Sequence, residues 1–324
     1  MLLLIVEEDM ILSIVLPFYN PMPYFKKMWE SFQTNGIIDL CDNFDVEVIC
    51  INDGSTDDSV RFMKSIDFPQ NFYLLTARHE GVARARNLGL SVCKGDYIWF
   101  VDADDILPEN AILSVISKLN SFGRPIDILF ANFFAFEETA NTFDKVFHSQ
   151  YLFENFYGAE DKFDVIFNKA RIGFTIWNQI FNVSFLKQNS LRFNSKYCVS
   201  EDLMFKMEAV YKAVHFDYIE TEIYGYRVPN GRKTLSQKKP FFQEIEPLLD
   251  DQAKWFDTFE NDYHYFDGSH YMRLLLSESI NMWLNYFKKY DKKNAKKVEL
   301  KQKELSNVIN YLPMGVSALF HKGI

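Results

Sequence analysis

WFVDADDILPEN, residues 99–110, runs an apolar segment directly into three carboxylates within four positions, Asp102, Asp104 and Asp105. Like charges at the end of a buried strand repel one another unless a cation lies among them. Reading DYIWFV (96–101) as that strand makes the acids a strand-end cluster, and the flanking sequence repeats the pattern. ILSIVL (11–16) is an apolar strand that Pro17 should stop, VEVICI (46–51) a β-branched one, and NFYLL (71–75) a third. Phe25, Met28, Trp29 and Phe32 recur at helical spacing, and Ser55 with Asp58 fits a capping box opening the next helix. A short helix over 82–92, a helix from about Pro108 and a fifth strand at IDILFANFF (126–134) extend the series. Apolar strands alternating with helices predict an α/β fold, a mostly parallel sheet sandwiched by helices.

Beyond this the pattern loosens. Residues 150 to about 230 are mixed and rich in aromatics, with a helix over 201–214 whose Leu203, Met207, Val210, Tyr211 and Val214 share a face. From about 240 the pattern is helical, and Lys288, Lys289, Lys292, Lys293, Lys296, Lys297, Lys301 and Lys303 crowd one segment. That segment reads either as a solvated helix face or as a contact for anionic lipid.

Bulk composition narrows the function. A net charge of −9 over 324 residues supplies no field that would attract nucleic acid. Cys41, Cys50, Cys93 and Cys198 lack the spacing of a zinc site, which favours reduced thiols in a cytoplasmic protein. The opening MLLLIVEEDM is too short in its apolar part for a signal peptide, and no apolar run is long enough to span a bilayer. The six histidines show no metal-binding spacing.

Ligands of open α/β sheets bind beyond the carboxyl ends of the strands. There the chain places Pro17 to Asn20, Asn52 to Ser55 and Asp102 to Asp105. Oxygen-only ligands suit a hard divalent ion sharing a diphosphate, although an acidic loop with Asp105 capping a helix would look the same. Asp53 can accept hydrogen bonds from a base or ribose, or belong to a plain β-to-α turn. Arg84 and Arg86 of HEGVARARNLGL (79–90) can meet diphosphate or a carboxylate, or lie on a solvated face. Glu201 and Asp202 suit the first turn of a helix by its dipole, and equally a general base.

SIVLPFYN, VICINDGSTDDS, GVARARNLGL, GDYIWFVDADD and SEDLMF, in that order and with YGYR (224–227) behind them, resemble family 2 glycosyltransferases, the nucleotide-sugar-dependent GT-A group, over about residues 11–230. The resemblance implies a GT-A domain over 1–230, with a nucleotide-sugar half to about 130 and an acceptor half over 131–230. A helical C-terminal extension would occupy 231–324. It puts Pro17 and Tyr19 beside the nucleobase, Asn20 among the nucleotide-sugar-binding residues, Asp53 on base or ribose, Arg86 on the nucleotide and Asp102 near the ribose. Asp104 would take Mn2+ or Mg2+ with Asp105 as helper. Asp202 would be the catalytic base with Glu201 near the acceptor, and Arg227 with the following NGRKTLS a mobile segment over the diphosphate. The implied reaction is metal-dependent and inverting. A sugar would move from a nucleotide diphosphate sugar, UDP by default, to a saccharide or lipid-linked saccharide acceptor, as in bacterial surface-polysaccharide synthesis. Peripheral contact with the inner face of the plasma membrane and a homodimer stay open as further partners. IND (51–53) departs from the family pattern, since many relatives carry a second acid there. A sugar nucleotidyltransferase would show a Gly-rich basic loop where this chain reads PFYNPMP. A non-catalytic nucleotide-sugar-binding protein stays open.

Overall fold

The centre of the sheet is β1 (Leu12–Phe18), seven consecutive buried residues. β2 (Val46–Asn52) lies parallel on one side of it, β3 (Phe72–Thr76) extends β2, and β4 (Tyr97–Phe100) lies parallel on the other side. The computed structural model describes residues 10–149 except 44 and 140–142, then 175–197, 201–228, 245–254 and 291–305, with a few positions between 280 and 288. By contacts the chain divides into two compact units, Met1–Tyr151 with Gly173–Ser236, and Leu152–Ile172 with Gln237–Ile324.

Pro17 does not end β1 as the sequence suggests; it sits within the strand opposite Ile51. Alternate residues of a strand point their backbone groups to the same side. Val15 turns its carbonyl to the β4 side, where it accepts from Val101 N. Pro17 therefore faces the same side, past the last registered pair with β4, where no N–H is needed.

The helices follow from apolar stripes. α1 (Tyr24–Thr34) buries Phe25, Met28 and Phe32 and sets Trp29 edge-on to Phe72. After α2 (Ile37–Asp42), the predicted capping box is absent. α3 (Ser59–Lys64) starts without a side-chain cap at Asp58, Asp57 accepts from Ser59 N at 3.1 Å, and Ser55 Oγ accepts from Asn20 N instead. α4 (Val82–Val92) matches its predicted span and packs tightly on β1: a Cβ at Gly89 would lie 2.4 Å from a methyl of Val15. α5 (Ala111–Asn120) begins three residues after Pro108.

The second half of the sheet was largely hidden in the sequence. β5 (Ile128–Glu138) overruns its predicted end and pairs with β6 (Phe143–His148) in a hairpin. β7 (Gln179–Asn182) fits antiparallel between β4 and β5, and β8 (Phe216–Arg227) runs parallel to β5. Among the described residues the sheet has eight strands in the order β3-β2-β1-β4-β7-β5-β6, with β8 paired to β5. α6 (Val183–Gln188) and α7 (Glu201–Lys212) follow β7. α7 buries Phe205, Lys206, Met207, Ala209 and Val210; Leu203 and Tyr211 are half-buried and Val214, past the helix end, is exposed. The predicted face was thus displaced, because Phe205 joins a ring cluster with Phe100, Phe181 and Phe193. Cys41, Cys50 and Cys93 are free and buried.

In the second unit, residues 245–254 are helical with Ile245, Leu248 and Leu249 buried, and α8 spans Lys292–Glu304. No described helix is long and apolar enough to cross a membrane.

Candidate active site

The loops after β1 and β2 hold each other through backbone groups. Asn20, in the left-handed region (φ 51°) that asparagine tolerates, accepts the N–H groups of Thr56 (2.7 Å) and Asp57 (3.1 Å) with its side-chain oxygen. Asp53 is buried and accepts from the N–H groups of Glu80 (2.9 Å) and Gly81 (3.0 Å). Gly81 opens α4 at φ 96°, a conformation that favours glycine. His79 Nδ1 lies 2.9 Å from the Asp53 carbonyl and 3.1 Å from its carboxylate, so that nitrogen carries the proton and donates to both. The His79 ring stacks on Tyr19 with centroids 4.0 Å apart. Tyr19, Asn20 and Asp53 therefore share one corner, and Pro17 lies buried two residues before Tyr19.

A second corner forms at the end of β4. Arg86, 2% exposed on α4, donates to Asp102 at 2.9 Å, to Glu201 at 3.1 Å and to Asp202 as well. One guanidinium thus joins the acid after β4 to both acids opening α7. Arg84, by contrast, pairs with Glu80 one turn away on an exposed surface, the solvated reading of that residue. Asp102 and Asp202 keep 28% and 26% of their side-chain surfaces open.

Asp105 points the other way. It is buried, accepts from Tyr224 Oη and Arg227 N at 2.7 Å each, and caps no helix. Tyr224 Oη in turn accepts from Asp102 N at 3.0 Å. Trp177 stacks on Tyr224 with centroids 4.3 Å apart and on Tyr226 at 5.5 Å. Gly225 lets this happen: its N–H and C=O pair with Ile106, and a Cβ there would meet Ile106 and Phe134 at 2.7 Å. Arg227 ends β8 as a buried residue. Its Nε donates to the Asp104 carbonyl at 2.6 Å, it pairs with Glu138, and its guanidinium lies over Tyr24 and Phe136. That is an anchored strand end, not the mobile segment the resemblance implies; NGRKTLS lies outside the described residues.

The charges of this corner do not balance. Asp104 is half-buried, and among the described residues no side chain donates to its carboxylate. Burial first and Asp102 second push its pKa up to about 6, against its own backbone N–H and Arg227. Burial raises Asp105 well above the carboxylate range, with Asp104 and Asp102 adding to it. Burial also raises Asp202; Arg86 opposes this, while Glu201 and Asp102 reinforce it. Arg86 itself loses hydration, yet Asp202, Asp102 and Glu201 together hold its pKa above the ordinary value. Lys206, four residues after Asp202, is fully buried, and burial lowers its pKa well below the ordinary value.

Among the described residues no three His, Cys, Asp or Glu side chains gather as a metal cage. The acids nonetheless suit Mg2+ or Mn2+, which are commonly held by one or two carboxylates together with substrate phosphates and water. Of the three acids after β4, Asp104 is the one whose carboxylate no described side chain contacts.

The model of glycosyl transferase family 2 matches residues 13–190, more than half of the chain and all of the strands that form both corners except β8. The chain belongs to glycosyl transferase family 2. The glycosyltransferase GlyA of Streptococcus pneumoniae serotype 4 is 24% identical over 68% of the chain and 31% of its own length. The putative glycosyltransferase EpsH of Bacillus subtilis is 26% identical over 76% of the chain and 69% of its own length. The chain thus spans about a third of GlyA. Among solved structures, S. aureus TarS 1–349 in complex with UDP-GlcNAc superposes with a TM-score of 0.64 at 18% identity, over 93% of this chain and 79% of that one. The mannosyltransferase PcManGT of Pyrobaculum calidifontis, in complex with GDP-Man and Mn2+, gives 0.52 at 12% identity, over 93% and 81%. These likenesses establish the GT-A fold for this family member.

Two residues of the site, Glu138 and Trp177, lie outside every motif and reach it only through contacts brought about by the fold. His79 and Tyr224 stand at the start of HEGVARARNLGL and YGYR, but nothing in those stretches assigned them a role.

Proposed function

We propose that the protein transfers a sugar from a nucleotide diphosphate sugar to a hydroxyl of a saccharide or lipid-linked saccharide, with inversion. One observation carries this reading. Asp104, a carboxylate with no side-chain donor among the described residues, lies two residues from Asp102, which Arg86 joins to Asp202, a carboxyl of raised pKa.

The nucleotide would lie against Tyr19 and His79, where one more flat ring continues their stack. Asp53 offers about four lone-pair sites, three already taken, and the last accepts from the base or ribose. A divalent ion bound there would neutralise the leaving diphosphate, with Asp104 as its carboxylate ligand. Asp102, with 28% of its side chain open, would offer its second oxygen to the ribose. The acceptor hydroxyl attacks the anomeric carbon, the bond to the diphosphate breaks, and the hydroxyl proton passes to Asp202. General-base help of this kind is worth about 10²- to 10⁴-fold. Glu201, held by Arg86, lies beside it for the acceptor. Asp105 and Arg227 are read here as holding the β4 loop against β8, not as ligands.

UDP is the nucleotide proposed, since TarS is bound to UDP-GlcNAc and to UDP in its structures. A bacterial surface-polysaccharide role on the cytoplasmic side belongs to the same proposal; the similar glycosyltransferases GlyA and EpsH are both bacterial. A screen of nucleotide sugars with and without Mn2+ tests this, and Asp104→Asn and Asp202→Asn should each abolish transfer. Metal-independent binding, or transfer surviving either change, would overturn it.

A further inference from the structure

We infer that the outward face of α8 is a docking surface for an anionic lipid headgroup layer. In this helix Ala295, Val298, Lys301 and Leu305, the residue after it, form the buried stripe. At about 100° per residue, the direction opposite that stripe falls on Lys292, Lys296, Leu300 and Lys303, with Lys293 beside them. All five are exposed, and Leu300 is 65% exposed, an aliphatic side chain at the middle of a ring of ammonium groups.

Charge pairing within the unit sharpens the picture. The helix carries six lysines and two glutamates. Both glutamates are engaged from outside this face: Glu299 by Lys288 at 3.3 Å and Glu304 by Lys301 at 3.0 Å. Lys301 is buried and also pairs with Asp250, so it belongs to the packing of the unit and not to the outward charge. Among the described residues, Lys292, Lys293, Lys296 and Lys303 have no carboxylate within ion-pair distance. A protein of net charge −9 therefore presents one locally cationic face with its acids drawn off it.

A solvated face needs no leucine at its centre, and a nucleic-acid or polyphosphate surface gains nothing from one. A lipid surface uses both components: lysines meet the headgroup phosphates while a leucine enters the acyl boundary, as at the ends of interfacial helices. The face belongs to the second unit alone, and the inference does not depend on the transfer reaction.

Sedimentation of the full chain with vesicles of phosphatidylcholine alone, or mixed with phosphatidylglycerol, tests it. The chain should bind the mixed vesicles, with affinity falling as salt rises, and leave the neutral ones in solution. Each lysine should contribute about fivefold, so K292E/K293E/K296E/K303E should lose about 600-fold or more. Lys296→Glu alone, about fivefold, covers the case in which the quadruple variant misfolds. Leu300→Asn should weaken vesicle binding severalfold while leaving binding to soluble polyphosphate unchanged. Nucleotide-sugar hydrolysis measured without vesicles should be the same in all variants, which separates this result from failure of the proposed reaction. No binding by the unaltered chain, equal binding to neutral vesicles, or indifference to the lysine changes would overturn the inference. Indifference to Leu300→Asn would do so too, by reducing the face to a general polyanion contact.

Discussion

The two corners of the site are built on opposite principles. At the Asn20–Asp53 corner the polar side chains are satisfied by backbone N–H groups of neighbouring loops, and the geometry is complete without a ligand. At the Asp102–Asp202 corner, acids from distant segments converge on one arginine, and Asp104 is left over. Backbone donors cannot change charge, so the first corner is a fixed mould. Carboxylates desolvated together have raised pKa values, and in the proposed reaction it is the second corner that would take the cation and the proton.

Removing the arginine should break this contrast most severely. Arg86→Met leaves Asp102, Glu201 and Asp202 without their shared cation, and breaking a buried charge cluster costs about 3–5 kcal/mol. Urea unfolding should show that loss; a change under about 1 kcal/mol would mean that the three acids find other partners. A smaller loss is expected where the second corner leans on β8. Tyr224→Phe strips one hydrogen bond from buried Asp105 and one from Asp102 N, for about 1–3 kcal/mol. In the first corner Asn20→Ala should cost about 1 kcal/mol, on the scale of a lost cap, with the loops after β1 and β2 exchanging amide hydrogens faster. Arg84→Ala, on an exposed pair, should change stability by no more than about 0.5 kcal/mol.

The pH profile sharpens the comparison further. Asp202 must be ionised to accept a proton, and burial raises its pKa. The acidic limb of kcat/KM should therefore lie above the ordinary aspartate value of about 3.9, activity falling as pH drops through the raised pKa. Arg86→Lys presents a smaller, differently shaped cation, loses bidentate reach and should move that limb upward. A limb at the ordinary aspartate position would show that Asp202 is not the base.

Much of the first corner could be read directly. Apolar β-branched runs such as VEVICI have one stable solution, a strand covered on both faces, and NDG after it is local turn chemistry. α4 was legible as a short Ala- and Arg-bearing helix, and its span, 82–92, is the one observed. Local rules failed where partners lie far apart in the chain. Ser55 looked like half of a capping box, but Asn20, 35 residues earlier, takes its hydroxyl. Lys301 looked like one more solvated lysine until Asp250 was brought against it. β7 and β8 sit among aromatics with no clean period, since β8 changes register against β5 twice.

By itself, then, the sequence determined the parallel half of the sheet, the strand ends that carry polar residues, and the presence of an acid cluster at one of them. Periodicity and turn chemistry act over a few residues, and those features are local. Only the tertiary structure decided how the acids divide. Asp105 is bound by Tyr224 and Arg227, and Asp102 and Asp202 by Arg86, while Asp104 stays open. Those assignments depend on contacts between residues as much as 122 positions apart. Which oxygen meets which donor there is set by the packing of β8, α4 and α7 on the sheet, and no short stretch of sequence encodes it.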